Sequence, residues 1–399
     1  MMPYVLALKN SRDLVREFGE IGVDWAGMSI MRPKGVFRVV KLRGLPSFLA
    51  NILKQEMLSL GGDAAVSRGS LTGRGKKTDC LVMGTLAQFK GLIDKLKRQS
   101  FGLEPLGGQI KSVLDRFDGH GTVLDLGKKF LRFGKKTFVM GIVNATPDSF
   151  SGDGLLGRTL QEAFDVAQKM VALGADIIDV GGESSRPGSR RISAKEEIAR
   201  VVPLLKRLSK KLRVPISIDT VKSEVAKAAL DAGASIVNDI SALRFDKKMA
   251  SLIGRRKAAV VLMHMKGRPA TMQKKPRYAH LMTELIDFFE AAVARAEDAG
   301  IAREKIILDP GIGFGKSVEH NVEILRRLSE LKCFGRPLLV GLSRKWFIGQ
   351  ILALEAQERM FGTAAALGVA IAHGADVVRV HDVGEMKQVV RLTDALVRN

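Results

Sequence analysis

Thr137-Phe138-Val139-Met140-Gly141-Ile142-Val143-Asn144 is a short, charge-free apolar run that ends on a carboxamide. Uninterrupted apolar residues, rather than alternating ones, suit a strand covered on both faces in a parallel sheet. A loop rich in Gly, Asp, Ser and Pro follows, and then an amphipathic segment from Leu160 to Leu173. The same grammar recurs in the runs Asp176–Gly182, Pro215–Thr220, Ile236–Ser241, Ala259–Met265, Lys305–Gly311, Pro337–Ser343 and Val377–Asp382. Helical spacing fills the intervals: Glu196 to Leu212, Glu224 to Ala232, Met249 to Arg256, Leu281 to Ala299, Val318 to Leu331, Thr363 to His373 and Glu385 to Val397. Ser193 with Glu196 reads as a capping box. Gly174 and Gly233 sit just past helix ends, where a left-handed residue closes the last turn. Strands alternating with helices in this way predict an α/β fold of the TIM (β/α)₈-barrel type. A doubly wound open sheet is the structural alternative, but the chain lacks the Gly-x-Gly-x-x-Gly turn that would support it.

Upstream, the pattern changes. Val36–Leu42, Ala64–Arg68 and Asp79–Met83 read as strands, and Phe48–Leu60 and Leu86–Arg98 as helices. The order β-α-β-β-α predicts a small two-layer α/β unit of ferredoxin-like type. The Gly73–Lys77 stretch would be the hairpin turn between its middle strands. The expected division is therefore residues 1–134, an extension without a catalytic constellation, and residues 135–399, the barrel.

The 399 residues are 46% hydrophobic, enough for a large core, and carry a formal charge of +22. That excess is spread along the chain in short clusters such as Lys95-Leu96-Lys97-Arg98, so it reads mainly as a solvated basic surface. Two isolated cysteines, Cys80 and Cys333, make neither a disulfide framework nor a metal pattern, which fits a reducing cytosol. The apolar run Tyr4–Leu8 is too short for a signal sequence, and no stretch has the length of a membrane span. A cytoplasmic location is the expectation.

In a barrel the functional face lies at the C-terminal ends of the strands. Polar residues collect at those ends: Asn144, Asp219, Asn238-Asp239, Asp309, Ser343-Arg344-Lys345, Arg379 and His381. Each alone is ordinary turn chemistry, but together they describe a polar ligand site. Strand alternation puts Arg379 and His381 on one face, an arrangement suited to clamping an anion such as phosphate. The bland alternative is a surface ion pair of Arg379 with Asp382. The loops Gly181–Gly188 and Asp148–Gly154, rich in glycine and hydroxyls, suit a polar ligand and a lid. His264 and His320 read as structural, since no His/Cys cluster accompanies them.

These residues fall into motifs that resemble the dihydropteroate synthase family. Met140-Gly-Ile-Val-Asn-Ala-Thr-Pro-Asp-Ser-Phe150 and Asp179-Val-Gly-Gly-Glu-Ser-Ser-Arg-Pro-Gly188 look like its two signatures. Ser217-Ile-Asp-Thr220, Val237-Asn-Asp-Ile240, Leu262-Met-His-Met265, Leu308-Asp-Pro-Gly-Ile-Gly-Phe-Gly-Lys316, Gly341-Leu-Ser-Arg-Lys345 and Arg379-Val-His-Asp382 follow in the family's order. Departures are Ser185, where the family usually has Thr, Ala145 in place of a common Val, and the aromatic pair Trp346-Phe347. The resemblance implies an enzyme that joins a dihydropterin pyrophosphate to p-aminobenzoate or a similar arylamine. It implies that Asp309, Asp219, Asn238, Met263, Gly341 and Lys345 hold the pterin. It implies that Arg379, His381, Asn144 and Arg186 hold the pyrophosphate, with Mg²⁺ on Asn144. Ser185, Arg186, Pro187 and Ser343 would line the arylamine side, and Lys345, Arg379 and His381 would carry the catalysis. A homodimer is implied as well. A pterin-binding methyltransferase module would share the carboxylates but has no need of the Arg379/His381 clamp. A nucleic-acid binder driven by the +22 charge would leave the rim unexplained.

Overall fold

The apolar runs become the strands of one parallel sheet: β1 (Phe138–Asn144), β2 (Ile177–Gly181), β3 (Ile216–Asp219), β4 (Ile236–Asp239), β5 (Ala259–Met263), β6 (Ile306–Asp309), β7 (Leu339–Gly341) and β8 (Val377–Val380). The computed structural model describes residues 2–6, 8, 11–72, 75–99, 103–119, 121–127, 129–145, 160–184, 191–267, 272–273 and 276–398. The strand order is β6-β5-β4-β3-β2-β1-β8-β7. The Leu308 amide donates to the Pro337 carbonyl at 2.9 Å, and a bridge between Leu308 and Leu338 brings β6 to β7. The sheet thus curls into the predicted barrel.

Alternation on each strand sorts the side chains into two populations. Val139, Val143, Ile178, Val180, Ile218, Val237, Val260, Leu308, Val340 and Val378 face outward into a core shared with the surrounding helices. Phe138, Met140, Ile177, Ile236, Ala259, Val261, Ile307, Leu339 and Val377 form a separate cluster, the lower half of the barrel interior. A hairpin, Val123–Asp125 with Phe130–Arg132, closes that end: Leu124, Leu131 and Phe133 pack onto the same cluster. The chain forms two compact units, Met1–Asp118 and Gly119–Asn399. The hairpin therefore belongs with the barrel, and the break falls earlier in the chain than composition suggests.

Helices observed beside the barrel include Leu160–Ala172, Ala194–Lys211, Ser223–Asp231, Met249–Arg256, Leu281–Asp298, Met360–Ala372 and Val383–Val397. The single helix expected over Val318–Leu331 is an α-helix to Arg326 and then a 3₁₀ segment, Leu328–Phe334. A further helix, Trp346–Leu352, starts directly after Lys345. Among the described residues no helix is long and apolar enough to cross a membrane.

In the N-terminal unit, strands Phe37–Pro46, Lys77–Thr85 and Asp63–Val66 lie side by side in that order, all antiparallel. Helices Ser47–Ser59 and Leu86–Leu96 bury Leu53, Met57, Phe89 and Leu92 against one face. This is the ferredoxin-like β-α-β-β-α order without a fourth strand among the described residues, and the helix Leu103–Asp118 follows instead, packing on the same core. The expected tight turn is longer than predicted. A helical turn, Arg68–Leu71, occupies part of the connection, Lys77 already belongs to the next strand, and residues 73–74 lie outside the described part.

Candidate active site

Strand register brings the polar strand ends together. Asn144 lies beside Gly181, Gly181 beside Asp219, and Asp219 beside Asn238. Across the mouth Met263 pairs with Asp309, and Gly341 with Arg379. All share the inward parity of the lower apolar cluster, two or four residues further along the strand. A Cβ built on Gly341 meets nothing within 4 Å, so the glycine leaves room for a flat ligand.

Arg379 organises the centre. Its Nε donates to Asp179 Oδ2 at 2.7 Å and its Nη2 to Asp219 Oδ2 at 2.8 Å. The ion pair with Asp382 that sequence alone allowed is made instead by Arg344, at 2.6 Å. Asp179 has a fully buried side chain and was not singled out as a site residue from sequence. The signal was there: one carboxylate inside Ile177-Ile178-Asp179-Val180, at inward parity. Asn238 Nδ2 donates to the same Asp179 Oδ2 at 3.2 Å. Asp179 Oδ1, Asn238 Oδ1 and Ser217 Oγ are buried with no partner. Unpaired buried acceptors each cost on the order of 1–3 kcal/mol, so this tier is arranged for donors that none of the described residues supplies. Burial lifts the Asp219 carboxyl to about 7 against the pull of Arg379, and the negative charge of Asp179 beside it adds to the rise.

Asp309 stands on the opposite wall. Its Oδ1 accepts from the Gly311 amide at 2.7 Å, and burial raises its carboxyl to about 6. Lys345 Nζ sits 4.4 Å from the centroid of the Phe314 ring, on the turn that follows β6. Asp239, adjacent to Asn238, has the outward parity and a different task. It accepts from the Ser241 and Leu243 amides at 2.7 and 2.8 Å, fixing a turn in which Ala242 and Leu243 have positive φ.

His381 Nδ1 lies 3.0 Å from Ser343 Oγ, joining the end of β8 to the loop after β7. His264 is buried against Lys316, and His320 Nδ1 accepts from the Ser317 amide in a capping box. Both histidines are structural, as expected. Ser185, Arg186 and Pro187, and the loop Asp148–Gly154, lie outside the described residues. The roots of the first of these loops are described. Lys222 Nζ binds Glu183 Oε2 at 2.8 Å, Glu197 Oε2 at 2.6 Å and the Ile192 carbonyl at 2.8 Å. Sequence reading did not find this knot, since its members are far apart along the chain. No group of three or more His, Cys, Asp or Glu able to hold a metal occurs among the described residues. Asn144 offers one amide oxygen at the rim, which suits Mg²⁺ that takes its other ligands from phosphate and water.

Residues 140–381 match the model of the pterin binding enzyme family. A dihydropteroate synthase of Synechocystis is 50% identical over 276 residues, 69% of this chain and 95% of that protein. The chain belongs to the pterin-binding enzyme family, among its dihydropteroate synthases. A solved dihydropteroate synthase from Clostridium difficile, crystallised in the presence of pteroic acid, is 48% identical with a TM-score of 0.62. It covers 67% of this chain and 99% of its own. A bifunctional folylpolyglutamate synthase/dihydropteroate synthase of Halobacterium salinarum, described as probable, is 41% identical. That match spans 92% of this chain and 44% of the longer protein, so it takes in residues of the N-terminal unit as well as the pterin-binding barrel.

Proposed function

We propose that the chain condenses 6-hydroxymethyl-7,8-dihydropterin pyrophosphate with p-aminobenzoate, giving 7,8-dihydropteroate and pyrophosphate in folate biosynthesis. The observation that carries this reading is the buried tier of acceptors without donors around one guanidinium: Asp179 Oδ1, Ser217 Oγ and Asn238 Oδ1 beside Arg379. A pterin presents a row of adjacent N–H donors along one edge, the complement of such a tier. On this reading Asp309 and Asp219 accept from that edge with Asn238 beside them. Met263 and Gly341 border the ring, and Lys345 holds its carbonyl.

Pyrophosphate leaves as a polyanion and needs charge neutralisation more than protonation. Arg379 and His381 meet that charge, and preorganised charge of this kind is usually the largest catalytic term. Asn144 would hold Mg²⁺, which when bound supplies further positive charge at the pyrophosphate. Arg186 assists at the same end. An uncharged arylamine, held by Ser185, Arg186, Pro187 and Ser343, attacks the exocyclic carbon without a strong base. The barrel does this chemistry alone, and the reading includes a cytoplasmic homodimer without nucleic-acid partners.

A turnover assay tests the reaction. With dihydropterin pyrophosphate and Mg²⁺, pyrophosphate release should depend on added p-aminobenzoate. Release that ignores the amine, or none at all from folded protein, would refute it.

A further inference from the structure

Lys316 is a fully buried lysine, and the reaction proposed above gives it no task. Its Nζ reaches the Gly311 carbonyl at 2.9 Å, the Phe314 carbonyl at 3.1 Å, His264 Nδ1 at 2.9 Å and the His264 carbonyl at 3.3 Å. Burying an ammonium group costs several kcal/mol unless its surroundings compensate. Here the surroundings are one turn, Gly311–Gly315, wrapped around the cation.

In that turn the Phe314 amide donates to the Gly311 carbonyl at 3.0 Å, the Gly313 amide to Asn321 Oδ1 at 2.7 Å, and the Tyr278 hydroxyl to the Gly315 carbonyl at 2.8 Å, while Lys316 is the one cation buried at its centre among the described residues. Gly311, Gly313 and Gly315 all have positive φ. A Cβ on Gly311 would lie 2.0 Å from the His264 carbonyl oxygen, and one on Gly315 2.4 Å from the Lys266 carbonyl oxygen. A glycine-rich turn loses much entropy on ordering, and the buried ammonium adds to the compensating contacts. Two groups depend on the result. The Gly311 amide donates to Asp309 Oδ1 and so aims that carboxylate. The Phe314 ring carries the Lys345 ammonium.

We propose that Lys316 is the positioning residue for the pterin half of the site: its buried ammonium folds the Gly311–Gly315 turn so that Asp309 and Lys345 are preset for the ring. This rests on the pterin reading and deepens it. Lys316 does not touch the substrate in this scheme. His264 faces it as a neutral acceptor, since burial and the neighbouring cations Lys316, Arg244 and Lys266 hold that ring well below its usual range. Burial also pulls Lys316 down, to about 7, against the opposing charge of Asp309 and with the repulsion of Lys345. Its charge is therefore one that mild alkali removes.

The test uses calorimetry with 6-hydroxymethyl-7,8-dihydropterin on wild type, Lys316→Met and Lys316→Arg, together with steady-state kinetics. Absence of binding to wild type would sink the pterin reading itself. With wild type binding, Lys316→Met should weaken the pterin about ten- to a hundredfold, as for lost charged hydrogen bonds. The KM for p-aminobenzoate at saturating pterin should stay within about twofold, a split that general loosening of the fold would not give. Folded Lys316→Met with wild-type pterin affinity overturns the proposal, as does an equal rise in the KM for the amine. Should Lys316→Met fail to fold, Lys316→Arg carries the test. Asp309 and Asp219 titrate in the same window in both proteins, so the readout is the difference: from about pH 6 to about pH 9 wild type should lose pterin affinity relative to the arginine variant, which keeps its proton. Parallel curves would overturn the proposal.

Discussion

The two halves of the barrel interior are built by one rule of alternation and obey opposite rules of energetics. Below, Met140, Ile177, Ile236, Val261, Ile307, Leu339 and Val377 meet the hairpin residues Leu124, Leu131 and Phe133 in a sealed apolar plug. Above, the next inward positions hold Asp179, Asp219, Asn238, Asp309 and Arg379, with three buried acceptors unpaired. The lower half maximises stability. The upper half gives stability up to keep donors and acceptors ready for a ligand, the usual trade at a functional site. Substitutions should therefore cost stability below and binding above, and the exceptions mark where the halves are coupled.

Arg379→Ala should cost the most stability. It leaves the buried carboxylate of Asp179, and that of Asp219, without the cation that pairs them, a loss of roughly 3–5 kcal/mol. Chemical denaturation measures it. A loss below about 1 kcal/mol would mean that the upper tier is wetter than described. Leu124→Ala, in the plug, should cost roughly 2–5 kcal/mol through the cavity it opens, with kcat and both KM values near wild type at a temperature where it stays folded. A kcat falling with stability would deny that the halves are separable.

His381→Ala should cost little stability, under about 1 kcal/mol, because the histidine sits past the strand end, only part-buried, where its ring meets the Ser343 hydroxyl. Its effect should fall on the pyrophosphate. The ester should weaken about ten- to a hundredfold more than bare hydroxymethyl pterin, as for a charge-assisted contact. Paired dissociation constants in Mg²⁺ decide this. Equal weakening of both ligands would favour the methyltransferase-like alternative, which needs no clamp.

How much of this could be read from the sequence follows from the same contrast. The strands were legible because buried parallel strands are mostly apolar, and Ala259-Val-Val-Leu-Met263 can be little else. The rim residues were legible because polar residues end several such runs at once, as Asp309 and Asp219 do; singly, a buried carboxylate there can simply fix a turn, as Asp239 does. Asp179 went unread as a site residue because it sits inside its run, not at the end. Lys316 and the Lys222–Glu183–Glu197 knot went unread because partners that define them lie far off in sequence: His264 is 52 residues from Lys316, and Glu183 and Glu197 are 39 and 25 from Lys222. The hairpin plug was missed since strands of three residues carry no periodicity. The helix Trp346–Leu352 was missed for a related reason: seven residues directly after a motif leave little pattern.

Asp309→Asn tests the central claim most directly, because the two energetic rules give it opposite signs. Asp309 holds its proton to about 6, above the unfolded value near 3.8, so the ligand-free native state binds more protons in that window. Its contribution is then present below the unfolded value and lost as pH rises through 6. An asparagine carries no charge to bury and still offers an oxygen to the Gly311 amide. Thermal unfolding of the ligand-free variant at neutral pH, followed by pterin calorimetry on the same sample, makes one paired measurement. The account predicts a Tm equal to or above wild type, together with a loss of roughly 2–4 kcal/mol in pterin binding, as for a charged hydrogen bond broken in a buried site. Unchanged pterin affinity in a folded variant would contradict it.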